Sequence, residues 1–135
     1  MTAKISDSQR DALNSSVEAF GLEKTKEILT SLIDQGGLSY SDDIGCSYRQ
    51  DYTACCINKC FFGYLIPDEE YDVGLEELGP MYLLDKLGIP YNGVSELQLN
   101  NIQIYLHDNI FGDPILTWQE CLVYLEECFQ EATEQ

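Results

Sequence analysis

The chain has 135 residues and an apolar content of 44%, enough for one folded domain with its own hydrophobic core. Its 24 acidic and 7 basic side chains give a formal net charge of −17, and such a surface repels phosphate, so direct binding of nucleic acid or of a membrane is disfavoured. No stretch approaches the roughly 20 apolar residues of a membrane-spanning helix, and the N-terminal residues lack the apolar segment of a signal peptide. We therefore expect a single domain over residues 1–135, located in the cytoplasm.

Capping signals and apolar spacing predict helices on both sides of the middle of the chain. Ser6 with Gln9 has the spacing of a capping box, in which a hydroxyl and an amide side chain satisfy exposed N–H groups at a helix start. Gly36 is a typical residue just beyond a helix end. The predicted helices run from Ser6 to Gly21, from Leu22 to Gly36, from Pro80 to Leu87, from Ser95 to about His107, and from Thr117 onward.

The stretch from Cys46 to Tyr71 interrupts this helical pattern. Its short β-rich runs, separated by polar turn residues, predict a β-hairpin. Pro67, followed by Asp68-Glu69-Glu70, predicts the first turn of a helix, where acids meet the positive end of the helix dipole. The sequence therefore predicts a mainly α, α+β fold, with four to five helices packed around a small central β-hairpin.

The same stretch resembles an uncharacterised family of small bacteriophage and prophage proteins. The matching pattern is C-x-Y-R from Cys46, then C-x-x-G-x-L-I-P-D-E-x-Y-D from Cys60, and later an H-D pair and a Trp. Here the last two are His107-Asp108 and Trp118. Two departures stand out: residues 50–58 replace a tight turn, and Phe61 replaces the usual Ala. The resemblance implies a phage source and a fold, but no activity.

Four cysteines lie in this stretch, in the pattern Cys-x8-Cys-Cys-x3-Cys from Cys46 to Cys60. Together with His107 they could supply ligands for zinc. The pattern lacks the C-x2-C pairs that make a zinc site specific, so we expect buried reduced thiols, with no metal and no cofactor. A local disulfide, or a zinc-dependent or Cys–His enzyme, is the alternative for Cys46, Cys55, Cys56 and Cys60.

Polar side chains near the expected hairpin suggest a candidate pocket for an anionic metabolite or a nucleotide signal. Arg49 is the one basic group well placed for it, and Arg binds anions through a planar fork of donors. The protein would then be a small-molecule sponge. The candidate pocket comprises Tyr48, Arg49, Cys60, His107 and Asp108.

Two of these residues also have purely structural interpretations. Arg49 could pair with Asp68 or Glu69, because a buried Arg is normally paired. His107 could cap a helix C-terminus, where a positive charge is favourable. The sequence contains no nucleophile elbow, phosphate loop or metalloprotease motif, so no enzymatic activity is expected.

The acidic residues are concentrated in the second half of the chain, where residues 61–135 carry 15 acids and one base, Lys86. A basic, nucleic-acid-handling surface of another protein would be attracted to them. The leading hypothesis is therefore a phage interaction protein that binds and inhibits or redirects a host or defence protein by mimicking nucleic-acid charge. Solubility alone would also explain the acids. The predicted partner-binding residues are Glu69, Glu70, Asp72, Glu76, Glu77, Glu120, Glu126, Glu127 and Glu131.

Overall fold

A computed structural model describes residues 4–37, 40–41, 45–46, 48–53, 56–108, 110 and 112–134. Within these ranges, it describes the backbone alone at residues 40–58 other than Tyr48, and at residues 73, 108 and 130–134. In this part of the chain there are five α-helices: α1 (Asp7–Phe20), α2 (Leu22–Gln35), α3 (Pro80–Leu87), α4 (Glu96–Gln103) and α5 (Pro114–Glu134). None of the helices in the described ranges is long and apolar enough to cross a bilayer.

The helices pack as a bundle with short irregular helices attached. α2 packs on α5, and α1 packs on both α4 and α2. A π-helical turn (Ile104–Asp108) continues α4. Three 3₁₀ helices connect the middle of the chain to α3: Phe62–Leu65, Asp68–Glu70 and Val73–Glu77.

Local capping chemistry sets several of these helix ends, as predicted. The Ser6 hydroxyl accepts a hydrogen bond from the Gln9 backbone N–H at 3.1 Å, and Gln9 Oε1 accepts one from the Ser6 N–H at 3.0 Å. Ser95 and Gln98 make the same reciprocal pair at the start of α4. Gly36 ends α2 with φ of 79°, a left-handed conformation that costs glycine little.

The predicted start of the last helix at Thr117 is wrong. α5 begins at Pro114, which suits a first helical position because its missing N–H would have no partner there. Asp113 precedes it, and its carboxylate accepts a hydrogen bond from the Leu116 N–H at 3.3 Å. The Asp-Pro pair therefore starts the helix three residues before the expected start at Thr117.

Within the described ranges, four short strands form two separate antiparallel pairs. β1 (Tyr40–Ser41) pairs with β2 (Gly45–Cys46), and β3 (Arg49–Thr53) pairs with β4 (Cys56–Lys59). Arg49 lies opposite Lys59 in this pair. β3 and β4 pack chiefly on each other.

The predicted α+β class, with helices around a central hairpin, is therefore wrong: the packed interior is helical and the fold is all-α. The apolar run after Cys60 is the reason. Phe61 and Phe62 are consecutive and both are 0% exposed, whereas a strand would point them to opposite faces. They enter a 3₁₀ helix instead and pack edge to face, with ring centroids 5.6 Å apart. The other largest buried side chains of the described core are Leu13, Ile28, Leu29, Leu32, Leu83, Leu84, Leu99, Ile102, Leu106 and Trp118.

Candidate functional site

The 3₁₀ helices that follow Pro67 carry the densest group of predicted partner-binding residues. We call Glu69, Glu70, Asp72 and Glu77, whose side chains are all exposed, the acidic ridge. Two buried apolar residues anchor the segment: Ile66, just before the first turn, is 3% exposed, and Leu75, within the second, is 2% exposed. The ridge carboxylates therefore project from a packed segment.

Glu76 belongs to the same segment but makes internal contacts. Its Oε1 accepts a hydrogen bond from the Tyr48 backbone N–H at 2.8 Å, and its Oε2 accepts one from the Tyr71 hydroxyl at 2.6 Å. The Tyr48 hydroxyl in turn donates to the carbonyl of Leu78. These bonds hold the ridge against the chain that leads into β3, so Glu76 positions the ridge.

Asp68 lies beside the ridge and contacts a base. Its Oδ1 is 3.5 Å from Lys59 Nζ, and the Lys59 side chain is 22% exposed. The same ammonium lies 5.3 Å from the centre of the Tyr64 ring, over its face, a geometry that attracts cations. Whether Arg49 also contacts Asp68 or Glu69, as the sequence suggested, lies outside the described side chains.

The predicted acidic residues of α5 differ in how far their side chains are exposed. Glu126 and Glu127 are exposed. Glu120 is half-buried, and its Oε2 accepts a hydrogen bond from the backbone N–H of Lys4 at 3.1 Å. Glu131 lies outside the described side chains. Glu126 and Glu127 thus form a smaller acidic patch than the acidic ridge.

The residues of the candidate ligand pocket are mostly buried. Tyr48 is 7% exposed, Cys60 0% and His107 1%. The Cys60 backbone N–H donates to the Tyr48 carbonyl at 3.2 Å, which brings these two together. His107 instead stacks on Trp118, with ring centroids 6.1 Å apart and an interplanar angle of 27°. The side chains of Arg49 and Asp108 lie outside the described set.

Three cysteines have described side chains, and all three are free thiols: Cys60 and Cys121 are buried, whereas Cys128 is exposed. Burial, with a smaller contribution from Glu120, raises the pKa of the Cys121 thiol to about 12. Among the side chains that the structure describes, no group of three or more His, Cys, Asp or Glu could hold a metal ion. Cys46, Cys55 and Cys56 lie outside the described side chains.

A polar groove between α1 and α4 was not anticipated from the sequence. Its volume is about 330 Å³. The α1 residues that line it recur at the i, i+3, i+4 and i+7 spacing of one helix face, which is a visible signal, but only the packing of α4 alongside makes it a groove. The lining residues are Asp11, Ala12, Asn14, Ser15, Glu18, Gln98 and Asn101.

Comparison of the chain with protein-family models, with curated proteins and with solved structures gives no match.

Proposed function

We propose that the protein is a non-enzymatic, acidic interaction protein of phage type that acts in the cytoplasm of a bacterial host. It binds a host or defence protein through the acidic ridge and inhibits or redirects it. The partner carries a basic surface that normally handles nucleic acid, and the ridge carboxylates take the place of phosphates there.

The observation that supports this proposal best is that the ridge carboxylates are exposed on an anchored segment. Glu76 holds this segment through hydrogen bonds with Tyr48 and Tyr71, and the Leu75 side chain of the same segment is buried. Ordering a flexible segment on binding costs free energy, so charges already held in place bind a complementary surface more tightly. Acids that served solubility alone would need no such anchoring.

The imbalance of charge extends the electrostatic field of the acidic ridge. Residues 61–135 hold 15 acids and a single Lys, so few nearby cations offset the field of Glu69, Glu70, Asp72 and Glu77. An extended negative field steers a basic partner into encounter and repels anionic ones.

Affinity capture from a bacterial lysate tests the proposal. The bait would be the wild-type chain, the ridge variant Glu69→Gln/Glu70→Gln/Glu77→Gln, and a control variant, Glu23→Gln/Glu27→Gln/Glu96→Gln. Both variants remove three negative charges from exposed positions. Bound proteins would be identified by mass spectrometry at low and high salt.

We expect a nucleic-acid-handling protein that the wild type and the control retain at low salt and that the ridge variant loses. Retention of the same proteins by all three baits, or capture that high salt leaves unchanged, would contradict the proposal. Recovery of a stoichiometric small molecule with the wild-type chain would favour the sponge hypothesis instead.

A further inference from the structure

The turn between α3 and α4 contains an Asn-Gly pair in a left-handed backbone conformation. Asn92 has φ of 51° and Gly93 has φ of 79°, and the Val94 N–H donates to the Tyr91 carbonyl at 3.1 Å. Positive φ at both central residues is the requirement of a type I′ turn, which Asn-Gly meets readily. Asn92 is also the only asparagine of the chain that precedes a glycine.

The Asn92 side chain fastens this turn to the end of α1. Its Nδ2 donates to the Ala19 carbonyl at 3.1 Å and to the Glu18 carbonyl at 3.4 Å. Carbonyls in the last turn of a helix have no partner within the helix, so Asn92 satisfies two groups that need a donor. The contact between the turn and α1 therefore depends on the amide nitrogen of Asn92.

The surroundings leave the Asn-Gly pair open to water. Both residues are exposed, and a Cβ added at Gly93 would meet no described atom within 4 Å. Among the described residues, no backbone carbonyl accepts a hydrogen bond from the Gly93 N–H. Solvent can therefore reach the Gly93 nitrogen and remove its proton, and no side chain shields that nitrogen.

We infer that Asn92 is a site of spontaneous covalent modification, at which water converts the amide into a carboxylate. Asparagine is among the chemically labile residue types. The Gly93 nitrogen loses its proton and bonds to Asn92 Cγ, the bond from Cγ to Nδ2 breaks, and Nδ2 leaves as ammonia. Water then opens the resulting cyclic imide at either of its two carbonyls. The products are aspartate and isoaspartate at position 92, and no oxidant or reductant is required.

The modification removes the contact that holds the turn on α1. A carboxylate accepts hydrogen bonds but donates none, so it cannot bond to the carbonyls of Glu18 and Ala19. Its negative charge would also lie at the negative end of the α1 dipole. Isoaspartate in addition inserts a carbon atom into the main chain of the turn. Since α1 packs on both α4 and α2, we expect the folded state to lose stability as the protein ages.

Incubation of the full chain in water enriched in heavy oxygen, followed by peptide mapping with mass spectrometry, tests the inference. We expect the label to enter residue 92 as aspartate and isoaspartate, at a rate that rises with pH because removal of the Gly93 proton starts the reaction. The other asparagines with a described helical backbone should keep their amides, since a regular helix holds the next backbone nitrogen away from the side chain. These internal controls are Asn14, Asn100 and Asn101.

Urea denaturation tests the consequence for the fold. Asn92→Asp should have a lower urea midpoint than wild type, and lower than Asn92→Ala, which removes the donor without adding a charge. Gln119→Glu adds one negative charge at an exposed position of α5 and should keep the wild-type midpoint. Aged wild-type protein, separated from the unmodified chain by ion exchange, gives the same readout without a substitution.

Retention of the Asn92 amide under these conditions would overturn the inference, as would labelling of the helical asparagines at the same rate. A wild-type urea midpoint for both Asn92→Asp and the aged protein would overturn the proposed effect on the fold. None of these outcomes depends on the protein partner proposed above.

Discussion

Gln35 bonds through its side-chain amide to both backbone groups of Lys59. Its Nε2 donates to the Lys59 carbonyl at 2.8 Å, and its Oε1 accepts from the Lys59 N–H at 2.9 Å. The Tyr64 hydroxyl donates to the same Oε1. Because Gln35 ends α2 and Lys59 ends β4, this pair fastens the β3–β4 strands to the helical body.

The Gln35–Lys59 pair predicts that Gln35→Glu is destabilising. A carboxylate has no N–H to donate, so it would face the Lys59 carbonyl without a hydrogen bond. The expected loss is about 1–3 kcal/mol in the free energy of unfolding, measured by urea denaturation. Gln119→Glu, at an exposed position of α5, is the control and should change stability by no more than about 0.5 kcal/mol. Equal urea midpoints for the two variants would contradict this role of Gln35.

Features with local signals in the sequence were predicted well. The capping boxes at Ser6 and Ser95 each lie within one helical turn, so the residue spacing alone reveals them. The run from Phe61 to Ile66 was misassigned because a short apolar segment has the same composition whether it forms a strand or a buried helical turn. Burial of both Phe61 and Phe62 settles the assignment, and that depends on the helices around them.

The contacts that hold the candidate surface had no local signal. Gln35 and Lys59 are 24 residues apart, and Tyr48 and Glu76 are 28 apart. In the sequence, Glu76 is indistinguishable from its acidic neighbours. Only the folded structure shows that Glu76 makes internal hydrogen bonds and so positions the ridge. The same holds for Ser15, whose burial beside α4 gives it a place in the groove.

Gly63 should tolerate no side chain. A Cβ built there would lie 1.9 Å from the carbonyl oxygen of Tyr48, and a backbone atom cannot move aside cheaply. We expect Gly63→Ala to cost about 1–3 kcal/mol or more, measured by thermal unfolding. Gly74→Ala is the matched control, since the nearest atom to its Cβ is Asp72 Oδ2 at 3.8 Å, and it should be nearly neutral. Similar melting temperatures for both variants would contradict this prediction, because they would mean that the backbone at Tyr48 can shift to make room for the added Cβ.

Trp118 should be a structural anchor of the turn that follows α4. Its side chain is 0% exposed, and its indole N–H donates to the Leu106 carbonyl at 2.8 Å. Trp118→Phe removes this donor and leaves the Leu106 carbonyl buried without its hydrogen bond. We therefore expect the free energy of unfolding to fall by about 1–3 kcal/mol. Urea unfolding monitored by far-UV circular dichroism measures this change. Tyr82→Phe, at an aromatic residue that is 57% exposed, should leave the transition unchanged. A stable Trp118→Phe variant would mean that the bond contributes little.

Tyr64 should make stability depend on alkaline pH. Burial, with smaller contributions from Asp34 and Cys60, raises its pKa from 10.0 to about 12. The folded state therefore favours the neutral phenol. This stabilisation is fully present below pH 10 and is lost as the pH rises towards 12. We expect the stability difference between wild type and Tyr64→Phe, measured by urea denaturation, to narrow over this interval, whereas a constant difference would contradict the raised pKa.

The association rate between the protein and its captured partner tests the central claim most directly. Charges on an exposed surface are screened over about 8 Å at physiological salt, and steering acts on the encounter. We predict that the association rate constant falls steeply as salt rises and that duplex DNA competes for the partner. Glu69→Gln/Glu70→Gln/Glu77→Gln should slow association more than it speeds dissociation, while Glu23→Gln/Glu27→Gln/Glu96→Gln should leave both rates nearly unchanged. An association rate that is independent of salt and equal for the two variants would contradict binding through the acidic ridge.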